Sequence, residues 1–329
     1  PARIVWEVTN RCNLKCRYCY IGAGDRVDKE LSTSDVIDLA KTIGQMGVFH
    51  VTLSGGEPLI RKDIFQIINI LCKYDVAVFL NSNGTLIDKN IAQKIKNSGL
   101  NGVAISIDGI TAKTHEELRP PNGSFKKVLY GLQMLNQMDI NTGIQVTMTK
   151  TNYHEMLGLV DFCLSSGVSG VKFSRVSPIG RGSKNFEEIE LPYKIAQKLV
   201  TSLYNKKIEL AGKLRIDFGE NLVSQFIGLD SCESLDAYTS ECEAGRYKCA
   251  ISAEGDIRPC EFFIDDKYCA GNVNNLSFYD IWQKSSVFDY FRTDNLYSDC
   301  AICRKHCPAR CPAVAVYAGD HTSIDPTCP

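Results

Sequence analysis

Arg3-Ile4-Val5-Trp6-Glu7-Val8-Thr9-Asn10-Arg11-Cys12-Asn13-Leu14-Lys15-Cys16-Arg17-Tyr18-Cys19 sets the reading of the whole chain. Residues 3–8 are a short apolar and β-branched run, which predicts a strand. Directly beyond it stand three cysteines in a C-x3-C-x2-C spacing. Working outward, the same kind of run recurs at 50–54, 77–81, 102–107, 144–149 and 170–174, each bounded by turn residues. Helical periodicity fills the gaps, at about 34–46, 63–73, 88–97, 124–138, 154–166 and 192–206. The first of these helices opens on Ser32-Thr33-Ser34-Asp35, a capping cluster, and then sets Val36, Ile37, Leu39, Ala40 and Ile43 on a helical period. Six βα units in series predict an α/β chain with a parallel sheet under covering helices. Six is short of the eight that close a full barrel, so the expected form is a partial, open (βα)6 TIM-like barrel. In such a fold the site residues sit at the C-terminal ends of the strands.

The 329 residues are ordinary in bulk: 44% hydrophobic, 23% charged, net charge -1. That is enough apolar material for a sizeable core, and the charge total does not indicate a nucleic-acid partner. No apolar run is long enough to span a bilayer, and no signal peptide opens the sequence. A cytoplasmic location is the expectation.

Cysteine is the exception, with 15 residues, three of them within 12–19 and nine between 242 and 328. An odd count without a secretion signal argues against a disulfide framework, so the clusters read as metal ligands. Three thiolates on one loop suit three irons of a [4Fe–4S] cluster and leave the fourth iron free for a small molecule. A zinc site would want a fourth Cys or His close by, and none is near in sequence.

From about 230 onward Cys, Pro, Gly and Asp dominate, with a helical period only at about 276–291. Such a segment is poor in large aliphatics and is expected to need metal crosslinks to fold. The expected division is 1–210 for the barrel, 211–230 for a bridging region and 231–329 for a small loop-rich, Cys-rich domain. The run at Gly180-Arg181-Gly182-Ser183-Lys184 reads as an exposed loop. Cys72 and Cys163 fall among apolar helical residues and read as core, Cys232 and Cys269 are unassigned, and His306 and His321 read as surface residues.

The cysteine spacing after the first strand resembles that of the radical S-adenosylmethionine (SAM) superfamily, and further short motifs at strand ends agree with it. Ser54-Gly55-Gly56-Glu57-Pro58 resembles the family's GGEP element. The resemblance implies that Gly55, Gly56 and Glu57 engage the SAM amino group, a carboxylate suiting an ammonium. By the same resemblance Ser106, Gln145 and Arg175 are candidates for the SAM ribose and carboxylate, Asn83 lines the cavity, and Tyr18 lies near adenine. Cys12, Cys16 and Cys19 would ligate the SAM-binding cluster.

The C-terminal cysteines resemble the SPASM extension of that superfamily, with x3 in place of the usual x5 between Cys303 and Cys307. The resemblance implies two auxiliary [4Fe–4S] clusters, one on Cys242, Cys249, Cys260 and Cys311 and one on Cys300, Cys303, Cys307 and Cys328. Alone, this C-terminal region also fits a pair of zinc ribbons.

The function so implied is reductive cleavage of SAM to a 5'-deoxyadenosyl radical that takes a hydrogen atom from a substrate. A ribosomally made peptide or protein is the leading expectation, crosslinked, oxidised, epimerised or given a thioether. A tetrapyrrole is the alternative, and a non-catalytic iron–sulfur or zinc-stabilised protein is a third. A low-potential donor such as flavodoxin or ferredoxin is expected as partner. Eleven residues precede Cys12, too few for a peptide-binding winged-helix domain. A peptide would therefore need a separate recognition protein, residues upstream, or direct docking. No acid or base is ranked among Asp108, Glu116, Glu117, Tyr153 and His154.

Overall fold

The computed structural model describes residues 1–25, 29–219, 222–226, 242–293, 311–316 and 319. The six expected strands are all present: β1 (Arg3–Glu7), β2 (His50–Ser54), β3 (Ala77–Ser82), β4 (Gly102–Ser106), β5 (Thr142–Met148) and β6 (Gly170–Arg175). Each pairs in parallel with the next in chain order. Two edges were not foreseen. β7 (Arg215–Phe218) extends the sheet beyond β6, inside the segment expected as a bridge. β8 (Lys248–Ile251) pairs in parallel with β1, and β9 (Asp256–Arg258) and β10 (Gly271–Asn272) follow it antiparallel. The sheet thus runs β10-β9-β8-β1-β2-β3-β4-β5-β6-β7, a linear order with two open ends among the described residues.

The helices lie between the strands: α1 (Thr33–Gln45), α2 (Ile64–Lys73), α3 (Lys89–Asn97), α4 (Ala112–Leu118), α5 (Ser124–Gln137), α6 (Met156–Ser165), α7 (Arg181–Ile189) and α8 (Tyr193–Glu209). The α1 start is the predicted one. Ser32 accepts from the Asp35 N–H while the Asp35 carboxylate accepts from the Ser32 N–H, so two orphan donors are satisfied reciprocally. The stretch expected as an exposed loop at 180–184 is instead the start of α7. Its Arg181 side chain turns inward to bond backbone carbonyls, which loop composition does not reveal. After α9 (Leu222–Phe226), the helix expected over 276–291 is two, α10 (Phe278–Lys284) and α11 (Ser286–Arg292), because Ser285 breaks the first and caps the second.

Strand alternation gives the sheet two unlike faces. On one, Ile4, Trp6, Val51, Leu53, Val78, Leu80, Ile105, Ile144 and Phe173 are buried with the helices in one hydrophobic core. The other carries Glu7, Ser54, Asn81, Ser106, Gln145, Thr147 and Ser174, all but the buried Glu7 partly open. The residues of this polar face stand in register: Glu7 with Ser54, Ser106 with Gln145, Thr147 with Ser174. A closed TIM barrel fills its interior with branched apolar side chains. This sheet keeps that interior polar and accessible.

Candidate active site

The cysteine loop begins where β1 ends and is held from several sides. Lys15 and Arg17 donate their N–H groups to the Pro120 and Leu118 carbonyls at 3.1 and 3.0 Å. The Glu57 N–H reaches the Arg11 carbonyl at 2.8 Å and the Gly56 N–H the Thr9 carbonyl at 2.7 Å. Arg181 bonds the Cys16 carbonyl at 3.0 Å through Nε, and its own N–H bonds the Cys19 carbonyl at 2.9 Å. The two glycines of the Gly55-Gly56 pair are required by this packing. A Cβ on Gly55 would lie 2.4 Å from the Thr9 oxygen, and one on Gly56 2.2 Å from the Arg11 oxygen. The close approach that calls for glycine here is therefore to the backbone leading into Cys12.

Each sulfur of the loop receives a donor. The Leu14 N–H points to Cys12 Sγ at 3.4 Å, the Ala23 N–H to Cys19 Sγ at 3.4 Å, and Arg119 Nη1 to Cys16 Sγ at 3.7 Å. Asn83 Nδ2 lies 4.0 Å from Cys12 Sγ. Such donors favour thiolates. Burial works the other way at Cys16 and pushes its thiol up to about 12, whereas a metal binds the deprotonated form. Three donor-bearing thiols on one loop fit a cluster that takes one thiolate per iron.

Behind Cys16 lies a buried network. Asp108, fully buried after β4, accepts from Arg119 Nε at 2.5 Å, from the Thr147 N–H at 2.9 Å and from the Tyr18 hydroxyl. The Arg119 guanidinium stands 5.2 Å over the Tyr18 ring. Burial disfavours the Arg119 charge, but Asp108 more than offsets it and the guanidinium is held firmly protonated. Arg119 was missed by sequence reasoning. It follows α4 in an Arg-Pro-Pro turn, and nothing local marks it as facing Cys16.

The other candidates divide. Ser106 and Gln145 stand side by side on the polar face, and Gln145 Nε2 donates to Asn81 Oδ1 at 3.2 Å. Asn83 is beside Cys12 and bonds Asn13 Oδ1 at 2.9 Å. Glu57 is fully buried, and its carboxylate accepts from the Leu59 N–H (3.1 Å), the Ser82 hydroxyl (2.9 Å) and the Asn83 N–H (2.7 Å). Three of its roughly four acceptor positions are thus taken from within the protein. Burial raises this carboxyl to about 6 against those donors. Arg175 closes β6 in register with Met148, and by alternation it shares the helix-covered side of Phe173. Its Cβ thus leaves the sheet on the side opposite Ser106 and Gln145. Among the unranked acid–base candidates Glu155 was overlooked; it accepts from the Ile110 N–H and the Thr114 hydroxyl, a structural role.

The C-terminal cysteines divide as well. Cys242, Cys260 and Cys311 belong to one small core with Phe263, Tyr268 and Phe291. Against them lies a half-buried ion pair, Lys248 to Glu261 at 2.7 Å, and the Cys260 thiol donates to Glu261 at 3.0 Å. Cys249 is elsewhere. In β8 it pairs with Ile4, so it points to the apolar face and lies fully buried in the main core, while Lys248 beside it turns to the opposite face. The ligand role expected for Cys249 is therefore not supported: alternation takes its sulfur away from Cys242 and Cys260. Cys300, Cys303, Cys307 and Cys328, like Cys232, His306 and His321, lie outside the described residues. Cys163 is core, as expected. No helix among the described residues is long and apolar enough to cross a membrane.

Comparison with known proteins agrees with this geometry. The family model of the radical SAM superfamily matches residues 6–163, and that of SPASM, an iron–sulfur cluster-binding domain, matches residues 242–308. The AdoMet-dependent heme synthase of Methanosarcina barkeri is 30% identical, over 100% of this chain and 96% of its own. The mycofactocin maturase MftC of Mycolicibacterium smegmatis is 29% identical, over 100% of this chain and 82% of its own. Among solved structures, Streptococcus suis SuiB bound to S-adenosylmethionine superposes with a TM-score of 0.82 at 20% identity, covering 100% of this chain and 77% of that one. The chain belongs to the radical SAM superfamily and carries a SPASM domain, and so is built to bind SAM at one [4Fe–4S] cluster and to hold auxiliary iron–sulfur clusters.

Proposed function

We propose that this protein is an enzyme that modifies a ribosomally made peptide by radical chemistry. The observation that carries the chemistry is the cysteine loop at the end of β1, its sulfurs each met by a donor, opening on a polar sheet face. Similarity to the mycofactocin maturases along the whole chain favours a peptide substrate. In this reading Cys12, Cys16 and Cys19 hold the SAM-binding cluster, which when loaded supplies the electron that splits the sulfonium. Ser106, Gln145 and Asn83, with the Gly55–Gly56 backbone, hold SAM on the polar face. Tyr18 and Glu57 position it, Tyr18 through Asp108 and Glu57 by fixing the Ser82–Asn83 turn beside Cys12. Cys242, Cys260 and Cys311 belong to an auxiliary cluster, and a flavodoxin or ferredoxin supplies electrons.

A second reading, modification of a tetrapyrrole, is favoured by the heme synthases, one of them 30% identical along almost its full length. The test is anaerobic reconstitution, reduction with dithionite, and incubation with SAM and deuterated candidates. One set of candidates is short ribosomal peptides and the other is iron porphyrins. Deuterium from the peptide in 5'-deoxyadenosine is the expected result; deuterium from the porphyrin alone replaces this reading with the second. Cys12→Ala, Cys16→Ala and Cys19→Ala together are expected to abolish SAM cleavage, and persistence of cleavage would rule out the assigned role of the loop.

A further inference from the structure

Glu7 ends β1 on the polar face, in register with Ser54, while its neighbours Trp6 and Ile4 face the main core. It is 7% exposed, and its Oε1 has no hydrogen-bond donor among the described residues. A buried acceptor without a donor is destabilising, and native chains rarely keep one unless a site uses it. The charged groups around it are bonded elsewhere, apart from Arg258 Nε, which is buried and has no partner among the described residues. Arg258 bonds the Ile264 carbonyl at 3.0 Å and Asp256 at 3.2 Å, Glu261 holds Lys248 at 2.7 Å, and Glu254 accepts from Asn10 at 2.5 Å. The Tyr20 hydroxyl also faces the Glu7 carboxyl.

The position is between two cysteine groups. Tyr20 follows Cys19 directly, and its ring meets that of Phe262 edge-on at 5.2 Å. Phe262 packs against the small core of Cys242, Cys260 and Cys311. Glu7 thus stands at the polar face where the first cysteine loop meets the C-terminal cysteine group.

We propose that Glu7 is the proton acceptor for the substrate, meeting with its free oxygen an N–H or O–H group next to the carbon that loses hydrogen; this rests on the peptide reading above. The 5'-deoxyadenosyl radical takes a hydrogen atom from the peptide carbon, so one C–H bond breaks and one forms in 5'-deoxyadenosine. The carbon radical gives one electron to an acceptor of the iron–sulfur cluster class. The adjacent N–H or O–H proton passes to Glu7, where an O–H bond forms, and the electrons left behind complete a C=N or C=O bond. Proton transfer to a placed group contributes about 10²–10⁴-fold in rate. Burial raises the Glu7 carboxyl to about 8, so the ionised form that accepts the proton grows in as the medium becomes mildly alkaline.

The experiment uses cluster-loaded protein and the peptide that labels 5'-deoxyadenosine in the assay above. Modified peptide formed per 5'-deoxyadenosine is followed from about pH 6 to 9, the span over which a group of pKa about 8 changes charge. The wild-type ratio should rise with pH to a midpoint near 8. E7Q should lower it about 100-fold and flatten it, and E7D should restore a rising limb. An unchanged ratio in E7Q overturns the proposal. A second readout needs no substrate: the infrared difference between wild type and E7Q, or E7D should E7Q not fold. It should show a protonated-carboxyl band that disappears with a midpoint near 8. Absence of that band overturns the assignment. If no peptide transfers deuterium, the peptide reading is what fails, and the infrared titration still decides whether Glu7 holds its proton to mildly alkaline pH.

Discussion

Arg119 illustrates how much a single buried charge depends on its partner. Its side chain is 9% exposed and that of Asp108 0%, with the Thr147 N–H and the Tyr18 hydroxyl completing the carboxylate. Removing one member of a buried pair leaves an unpaired charge and costs about 3–5 kcal/mol. Arg119→Met is therefore expected to destabilise the protein by about that amount, measured by urea unfolding under anaerobic conditions. A variant as stable as the wild type would mean that the Thr147 N–H and the Tyr18 hydroxyl satisfy Asp108 without Arg119. The same residue shows a limit of sequence reading. Cys12, Cys16 and Cys19 announce themselves by spacing, whereas Arg119, 103 positions from Cys16, announces nothing.

At the scale of elements, the turn after β2 and the loop after β1 behave as one unit. Gly56 is where they touch, and a methyl group there would stand 2.2 Å from the Arg11 oxygen, with backbone on both sides and no flexible side chain to yield. Gly56→Ala is expected to push the cysteine loop outward and to lower the iron bound at the SAM-binding cluster, read as SAM-perturbed electron paramagnetic resonance intensity after reconstitution. Intensity equal to wild type would refute this coupling. The element scale also explains the misjudged helices. The Gly180–Lys184 composition suits a loop, yet Gly180 at φ 58° packs against the Tyr20 carbonyl and lets Arg181 start a helix that pins the cysteine loop. Ser285 is a cap, and a hydrophobic period alone runs straight through a cap.

Across the whole molecule there are two hydrophobic cores of unequal size. The main one draws on every strand from β1 to β9, whereas the second gathers Ala244, Cys260, Phe263, Tyr268, Phe291 and Ala313 around the C-terminal cysteines. A core of six buried residues with cysteines at its edge depends on metal for much of its free energy. Removing iron with a chelator is expected to speed amide hydrogen exchange at 259–269 and 311–316 while β2 to β6 keep their protection. Equal loss of protection throughout would show that the clusters hold up the sheet as well. β8 complicates the expected division of the chain, because it joins the later segment to the edge of the first sheet through β1.

The sequence by itself determined the parallel α/β order, the six-strand run and the three-cysteine loop. Those follow from local signals: period 2 against period 3.6, caps, and the spacing of thiols on a single turn. Only the tertiary structure decided which side chains share a face. Cys249 has a ligand's spacing but, paired with Ile4, turns its sulfur into the apolar core; Glu7 looks like one polar residue in a strand but, paired with Ser54, is buried on the polar face with an oxygen that has no donor among the described residues. The physical reason is that a strand residue's side is set by its register with a neighbour. For Cys249 that neighbour, Ile4, lies far away in sequence, and no local pattern encodes it.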